Sequence, residues 1–342
     1  MDCLTIAANG APRPPGRCLP RLAGGVRPHY LRSVMAAPAR SDGRTGPAAA
    51  AAHPSGLSST DGLLALMTLI WGVNYVVIKA AFAVFSPLSF NAVRFSLAVV
   101  AVALFARAAG ARRPPAAALP RLALLGVVGN TIYQLAYIEG MARTRAGNAA
   151  LIMAAVPVLT AVASHVMGHE RLRWRDTAGL ALSSAGLAAI VLGSGASLGL
   201  RGSLTGDLLM VAAVVFWTIY TIGVKPLVDS LGPTVTTAWT MGLGSIPLLA
   251  VCAPAALAQH WGTVTPAAWA GAIFSSLGSL VAAYLIWYRG VERLGSTRTA
   301  FYSNFTPVVT LLSAWPLLGE EPTLWQLVGA AGIFGALALI RS

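Results

Sequence analysis

The chain has 342 residues, 56% of them apolar and only 10% charged, with a mean hydropathy of +0.70 and a formal charge of +13. A soluble domain carries about 25% charged residues, so an ordinary globular protein is excluded. The apolar stretches are continuous and do not alternate over ten-residue segments, which excludes a transmembrane β-barrel.

Residues 1–60 hold eight Pro, seven Gly, seven Arg and two Asp without a periodic apolar face. Such a segment cannot bury enough surface to offset its ordering entropy, so a disordered tail is expected. It lacks the apolar core of a secretory signal. An Arg-rich transit peptide and a true start at Met35 are the other readings.

Apolar runs between charges and turn residues then predict ten spans of about 20 residues. The first five cover 62–85, 88–107, 120–140, 145–167 and 176–194. The second five cover 207–228, 233–253, 266–289, 297–318 and 323–341. The expected fold is therefore an all-α polytopic membrane protein whose lipid partner is the bilayer.

The two groups of five repeat one another, as 61–194 and 207–341. One offset pairs Asp61 with Asp207, Trp71 with Trp217, Lys79 with Lys225 and Pro87 with Pro233. A slightly larger one pairs Gly140 with Gly290, Pro157 with Pro307 and Glu170 with Glu320. The only two lysines fall on matched positions. Five is odd, so the second repeat must cross the bilayer upside down, the inverted-repeat plan of secondary transporters.

Outside the tail, twelve Arg and Lys fall on the side of the termini and three on the other. The positive-inside rule then expects both termini in the cytoplasm and the chain in the cytoplasmic membrane. That placement explains the net charge, and no nucleic-acid partner is expected.

Trp71-Gly72-Val73-Asn74-Tyr75 with Lys79, Pro87 and Arg94-Phe95 resembles the opening of an EamA-type repeat. Gly147-Asn148-Ala149-Ala150, Pro157 and Gly168-His169-Glu170-Arg171-Leu172 resemble its close, and Ser303-Asn304-Phe305-Thr306-Pro307 with Gly319-Glu320-Glu321-Pro322 repeats it. The resemblance covers about 61–341 and points to the drug/metabolite transporter superfamily. It implies ten helices, a central cavity and, for the most part, export of small metabolites. The second half departs from the first, with Thr240 at the position of Arg94 and Arg289 at that of Glu139.

Polar groups inside the spans mark candidate cavity residues, because hydrocarbon cannot satisfy them. Trp71, Asn74, Tyr75 and Lys79 share one helical face, as do Trp217, Tyr220, Thr221 and Lys225. Snorkelling to the interface is the simpler reading for Lys225, whereas Lys79 is open between the two. Tyr133, Gln134 and Tyr137 in the third span, and Tyr284 and Trp287 in the eighth, can form an aromatic wall. Asn148 and Asn304 need hydrogen-bond partners wherever they lie. Pro157 and Pro307 are matched interruptions of the fourth and ninth spans, a pointer to a transport site that packing kinks would also explain.

Arg94 needs a partner or a water path, since burying it unpaired costs at least about 3 kcal/mol. Structural pairing and anion binding both fit. Glu139 stands four residues before Arg143, so an ion pair is the first reading and a proton-handling carboxylate the second. His165 and His169 read as capping or surface groups. The glycines around Gly186 and Gly332 predict close helix packing, within one chain or in a homodimer.

Cys3, Cys18 and Cys252 have no metal or disulfide spacing, and no nucleotide-binding or hydrolase motif occurs. No catalytic residue, cofactor or metal is expected, and the chain is not read as an enzyme. The leading reading is a secondary exporter of small metabolites, such as amino acids or related amphipathic solutes. The alternative is a membrane receptor or scaffold that binds a ligand without moving it.

Overall fold

Prolines and glycines set most helix boundaries in the computed structural model, which describes residues 59–166, 174–195, 200–295, 299–300 and 302–341. The tail with Met35, the segment with His169 and Glu170, and Arg298 lie outside the described residues.

Helix α1 is Ser59–Ala81 and α2 is Pro87–Ala108. Pro87 opens α2 without losing an intrahelical bond, and the Ser86 hydroxyl accepts from the Ser89 N–H at 3.3 Å. Helix α3 spans Ala116–Arg143. Helix α4 consists of Ala146–Met153 and Val156–Val166, and α5 is Trp174–Gly195. The second half comprises α6, Leu200–Leu231; α7, Pro233–Ala258; and α8, Pro266–Leu294. Helix α9, Thr306–Leu318, follows a 3₁₀ turn at Ser303–Phe305, and α10 is Leu324–Arg341. Among the described residues, six of these helices (α1–α3 and α6–α8) are long and apolar enough to cross a membrane. Their outer faces carry large apolar side chains, such as Leu104, Leu124, Leu208 and Ile246, each more than 60% exposed. So much exposed hydrocarbon suits lipid and not water.

Several predicted spans differ from what forms. The first ends at Ala81, not residue 85, because Phe82–Phe85 make a turn. The sixth starts at Leu200, as no proline or cap interrupts 200–206. The fourth is broken at Ala154–Ala155, and the ninth carries the 3₁₀ turn at the matching place. Helices α3 and α8 each contain a π-helical segment, Val128–Ile132 and Phe274–Ala282.

Packing follows the repeat. Helix α1 lies against α8 and α9 of the other half, while its counterpart α6 lies against α3 and α4. In the same way α2 meets α8, and α7 meets α3. The exchange extends to single contacts. A methyl at Gly140 would meet the Met210 sulfur at 2.9 Å, and one at the matched Gly290 would meet Leu64, the match of Met210, also at 2.9 Å. Two matched pairs close the arrangement, α2 on α7 and α5 on α10. In the latter, a methyl at Gly186 would come within 2.8 Å of the Gly329 carbonyl, so these glycines allow contact inside one chain. Among the described residues the molecule is thus an all-α membrane protein whose two repeated halves are intertwined.

Candidate functional site

The irregular backbone gathers around one cavity between the halves, of about 50 Å³. Helix α1 contributes Trp71, Asn74 and Tyr75, and α2 contributes Arg94. Helix α3 adds Tyr133, Gln134 and Tyr137, while Trp217 and Tyr284 come from α6 and α8.

Matched residues meet across the boundary between the repeats. The Trp71 and Trp217 rings stand edge to face at 6.1 Å. The Gln134 amide donates to the hydroxyl of its counterpart Tyr284 at 3.1 Å. Trp217 also packs on Tyr133 at 4.8 Å and on Tyr284 at 5.3 Å, and Tyr75 lies edge-on to Tyr137 at 5.7 Å. These offset and edge-on contacts suit the ring quadrupoles and leave apolar faces toward the void. The π segment in α8 has a direct use: the Trp71 indole N–H donates to the Ser279 carbonyl at 3.1 Å.

The other sequence-predicted residues lie outside this lining. Trp287 and Tyr220 are fully buried behind it, packed on Trp217 at 5.7 and 5.4 Å, and Tyr220 also meets the Thr240 hydroxyl at 3.2 Å. Among the described residues, the Thr221 hydroxyl, buried in α6, has no hydrogen-bond partner, and neither has Asn304 Oδ1. Asn148 accepts from the Gln326 amide at 3.2 Å, joining α4 to α10. Pro157 and Pro307 do not bend helix interiors: each is the second residue of a new helical segment, just after the break in α4 and the 3₁₀ turn before α9. Proline has no N–H to lose there, so it favours the restart.

Lys79 points away from the cavity. Its ammonium donates to the carbonyls of Met141 at 2.9 Å and Thr144 at 2.6 Å, closing the C-terminal end of α3. Lys225 pairs with Asp229 one turn on, at 2.6 Å. Glu139 pairs with Arg143 at a half-exposed position and lies outside the lining.

Sequence reasoning missed Met153, Val156, Ser303, Thr306, Ser279 and Leu280 among the lining residues. Four of them were within reach, because Met153 matches Ser303 and Val156 matches Thr306, each flanking a break before a matched proline. Ser279 and Leu280 reach the cavity through the π segment, which shifts the helical register.

Two repeated halves enclosing a cavity flanked by broken helices have the architecture of a membrane transporter. Residues 58–192 and 204–342 each match the EamA-like transporter family, and the chain belongs to it. It is similar to a probable amino-acid metabolite efflux pump of Salmonella typhimurium, with 30% identity over 82% of this chain and 94% of that one. A probable terminal-alkyne amino-acid exporter of Streptantibioticus cattleyicolor shares 29% identity over 83% of this chain and 94% of its own length. A solved crystal structure matches in fold with a TM-score of 0.63 at 20% identity, over 83% of this chain and 97% of that one. The protein is a multi-pass membrane transporter for small molecules.

Proposed function

We infer that the protein exports small amphipathic metabolites, amino acids or close relatives, by alternating access. Both termini would lie in the cytoplasm, in keeping with the arginines and lysines of the loops. The observation that carries this reading is the cavity at the boundary of the repeats, where Trp71 meets Trp217 and Gln134 meets Tyr284. A site built from matched residues can be exposed to either side when one half rocks against the other. Aromatic walls suit an apolar body, and the polar groups among them suit a charged or hydrogen-bonding end. The names of the Salmonella and Streptantibioticus relatives support the direction and the solute class.

Counterflow in proteoliposomes tests the reading. Vesicles loaded with unlabelled phenylalanine should transiently accumulate labelled phenylalanine, and Trp217→Ala should weaken that exchange. Saturable binding without any exchange would favour a receptor.

A further inference from the structure

Arg94 stands in the cavity wall with no opposite charge to answer it. The residue is 1% exposed. Among the described residues it has no ion-pair partner within 4 Å. Its one hydrogen bond runs from Nη1 to Asn91 Oδ1 at a long 3.4 Å, and its Nε has no partner. A guanidinium offers five N–H donors, and the Phe90 ring at 5.7 Å answers none of them in the plane of the fork. Polar atoms of four other lining residues are also buried without partners: Asn74 Oδ1, Gln134 Oε1, Ser303 Oγ and Thr306 Oγ1. A finished interior leaves few such groups unanswered, and here they converge on one void. The lining contains no Asp or Glu.

The charge is also one-sided. At the position matching Arg94 the second half has Thr240, whose hydroxyl is occupied by the Thr236 carbonyl at 2.7 Å and by Tyr220. We propose that Arg94 anchors a carboxylate of the transported solute, so that the cavity accepts a carboxylate on an apolar or aromatic body and rejects cations. This rests on the transporter reading of the cavity. A single planar guanidinium matches the two oxygens of one carboxylate and neutralises it. A phosphate dianion would leave one negative charge buried without a partner, and an organic cation would set two positive charges in a desolvated space. The carboxylate can belong to a zwitterion, whose ammonium the Asn74 and Gln134 oxygens would accept, or to a monoanion without an ammonium. In either form the single cation gives the solute one orientation.

The test uses the full chain, purified and reconstituted, with four probes of one shape: phenylalanine, N-acetylphenylalanine, phenylalaninamide and phenethylamine. Both carboxylates should bind at least about 30-fold more tightly than the amide and the amine, the lower end of what losing one partner of a buried charge pair costs. The order within the carboxylates separates zwitterion from monoanion. Arg94→Gln should erase the preference and Arg94→Lys should keep part of it. If either variant fails to fold, the probe series on the unaltered chain still decides. Equal binding of the amide or amine, or no thermal stabilisation by either carboxylate, overturns the proposal. Counterflow of phenethylamine as fast as phenylalanine would sink the anchor and leave transport standing. Carboxylate-selective binding without counterflow would do the reverse.

Discussion

Lys79 and Lys225 occupy matched places in the two repeats yet do different physical work. The Lys79 ammonium closes three carbonyls at the end of α3, from Met141, Ala142 and Thr144, in a half-buried position. Lys225 forms a largely solvated pair with Asp229. Lys79→Met should therefore destabilise the protein by about 1–3 kcal/mol, since buried acceptors lose a charged donor. Lys225→Met should cost no more than about 0.5 kcal/mol. Thermal unfolding of the two variants in one detergent compares them directly, and equal losses would contradict the assignment. Glu139 and Arg143 are a second local pair, away from the cavity. Replacing both by Gln should change stability by less than about 0.5 kcal/mol and leave counterflow unchanged at every pH. A pH dependence that vanished with the pair would return Glu139 to the transport cycle. At this scale the repeat told which residues correspond, but not which of two matched lysines would find a row of carbonyls. That depends on where α3 ends against α1, a tertiary fact.

Helices α3, α4, α8 and α9 supply the irregular backbone around the cavity, and the irregularities are matched in pairs. The prolines were legible as interruptions. What could not be read was that a helical segment restarts there, at Val156 and Thr306, and does not merely bend. The π segments left no mark in the sequence, because a single inserted residue per turn is decided by neighbouring helices and not by composition. One of those neighbours is visible in the crossing of α3 and α7. A methyl at Gly244 would lie 2.1 Å from the Gly126 carbonyl oxygen, and the Thr131 hydroxyl donates to the Gly244 carbonyl at 2.6 Å. The obstacle is backbone and cannot rotate away. Gly244→Ala should accordingly cost about 1–3 kcal/mol by forcing the helices apart. Gly242→Ala, two residues earlier in open space, should be neutral or slightly stabilising because helix propensity improves. Paired melting curves separate them, and similar melting temperatures would mean that α3 and α7 do not cross at this glycine.

Across the whole molecule, the repeats hold each other at the ends of helices as well as at the cavity. The Glu320 carboxylate, just past α9, accepts from the backbone N–H groups of Ala146 and Gly147 at 3.2 and 3.3 Å. These are the unpaired donors that open α4, where a negative charge is favoured, and Arg145 stands 3.8 Å away. The contact ties the end of α9 in one half to the start of a broken helix in the other. With the termini in the cytoplasm, as proposed, it lies on the outer side and would have to part when the cavity opens outward. Glu320→Gln keeps the shape but removes the charge, which should weaken the cap by about 0.5–2 kcal/mol. The closed outer side then loses stability relative to the open one by that amount, and an equilibrium shifts by about a factor of 2 to 30. A cysteine placed at Ser303, in the cavity lining, reports the shift in a background where Cys3, Cys18 and Cys252 are alanine. A membrane-impermeant thiol reagent added outside should label Ser303→Cys several-fold faster when Glu320→Gln is also present, and slower when unlabelled solute holds the closed state. Unchanged labelling from outside would mean that Glu320 caps α4 without guarding the cavity. Faster labelling only from the cytoplasmic side would place this end of the molecule inside and reverse the orientation.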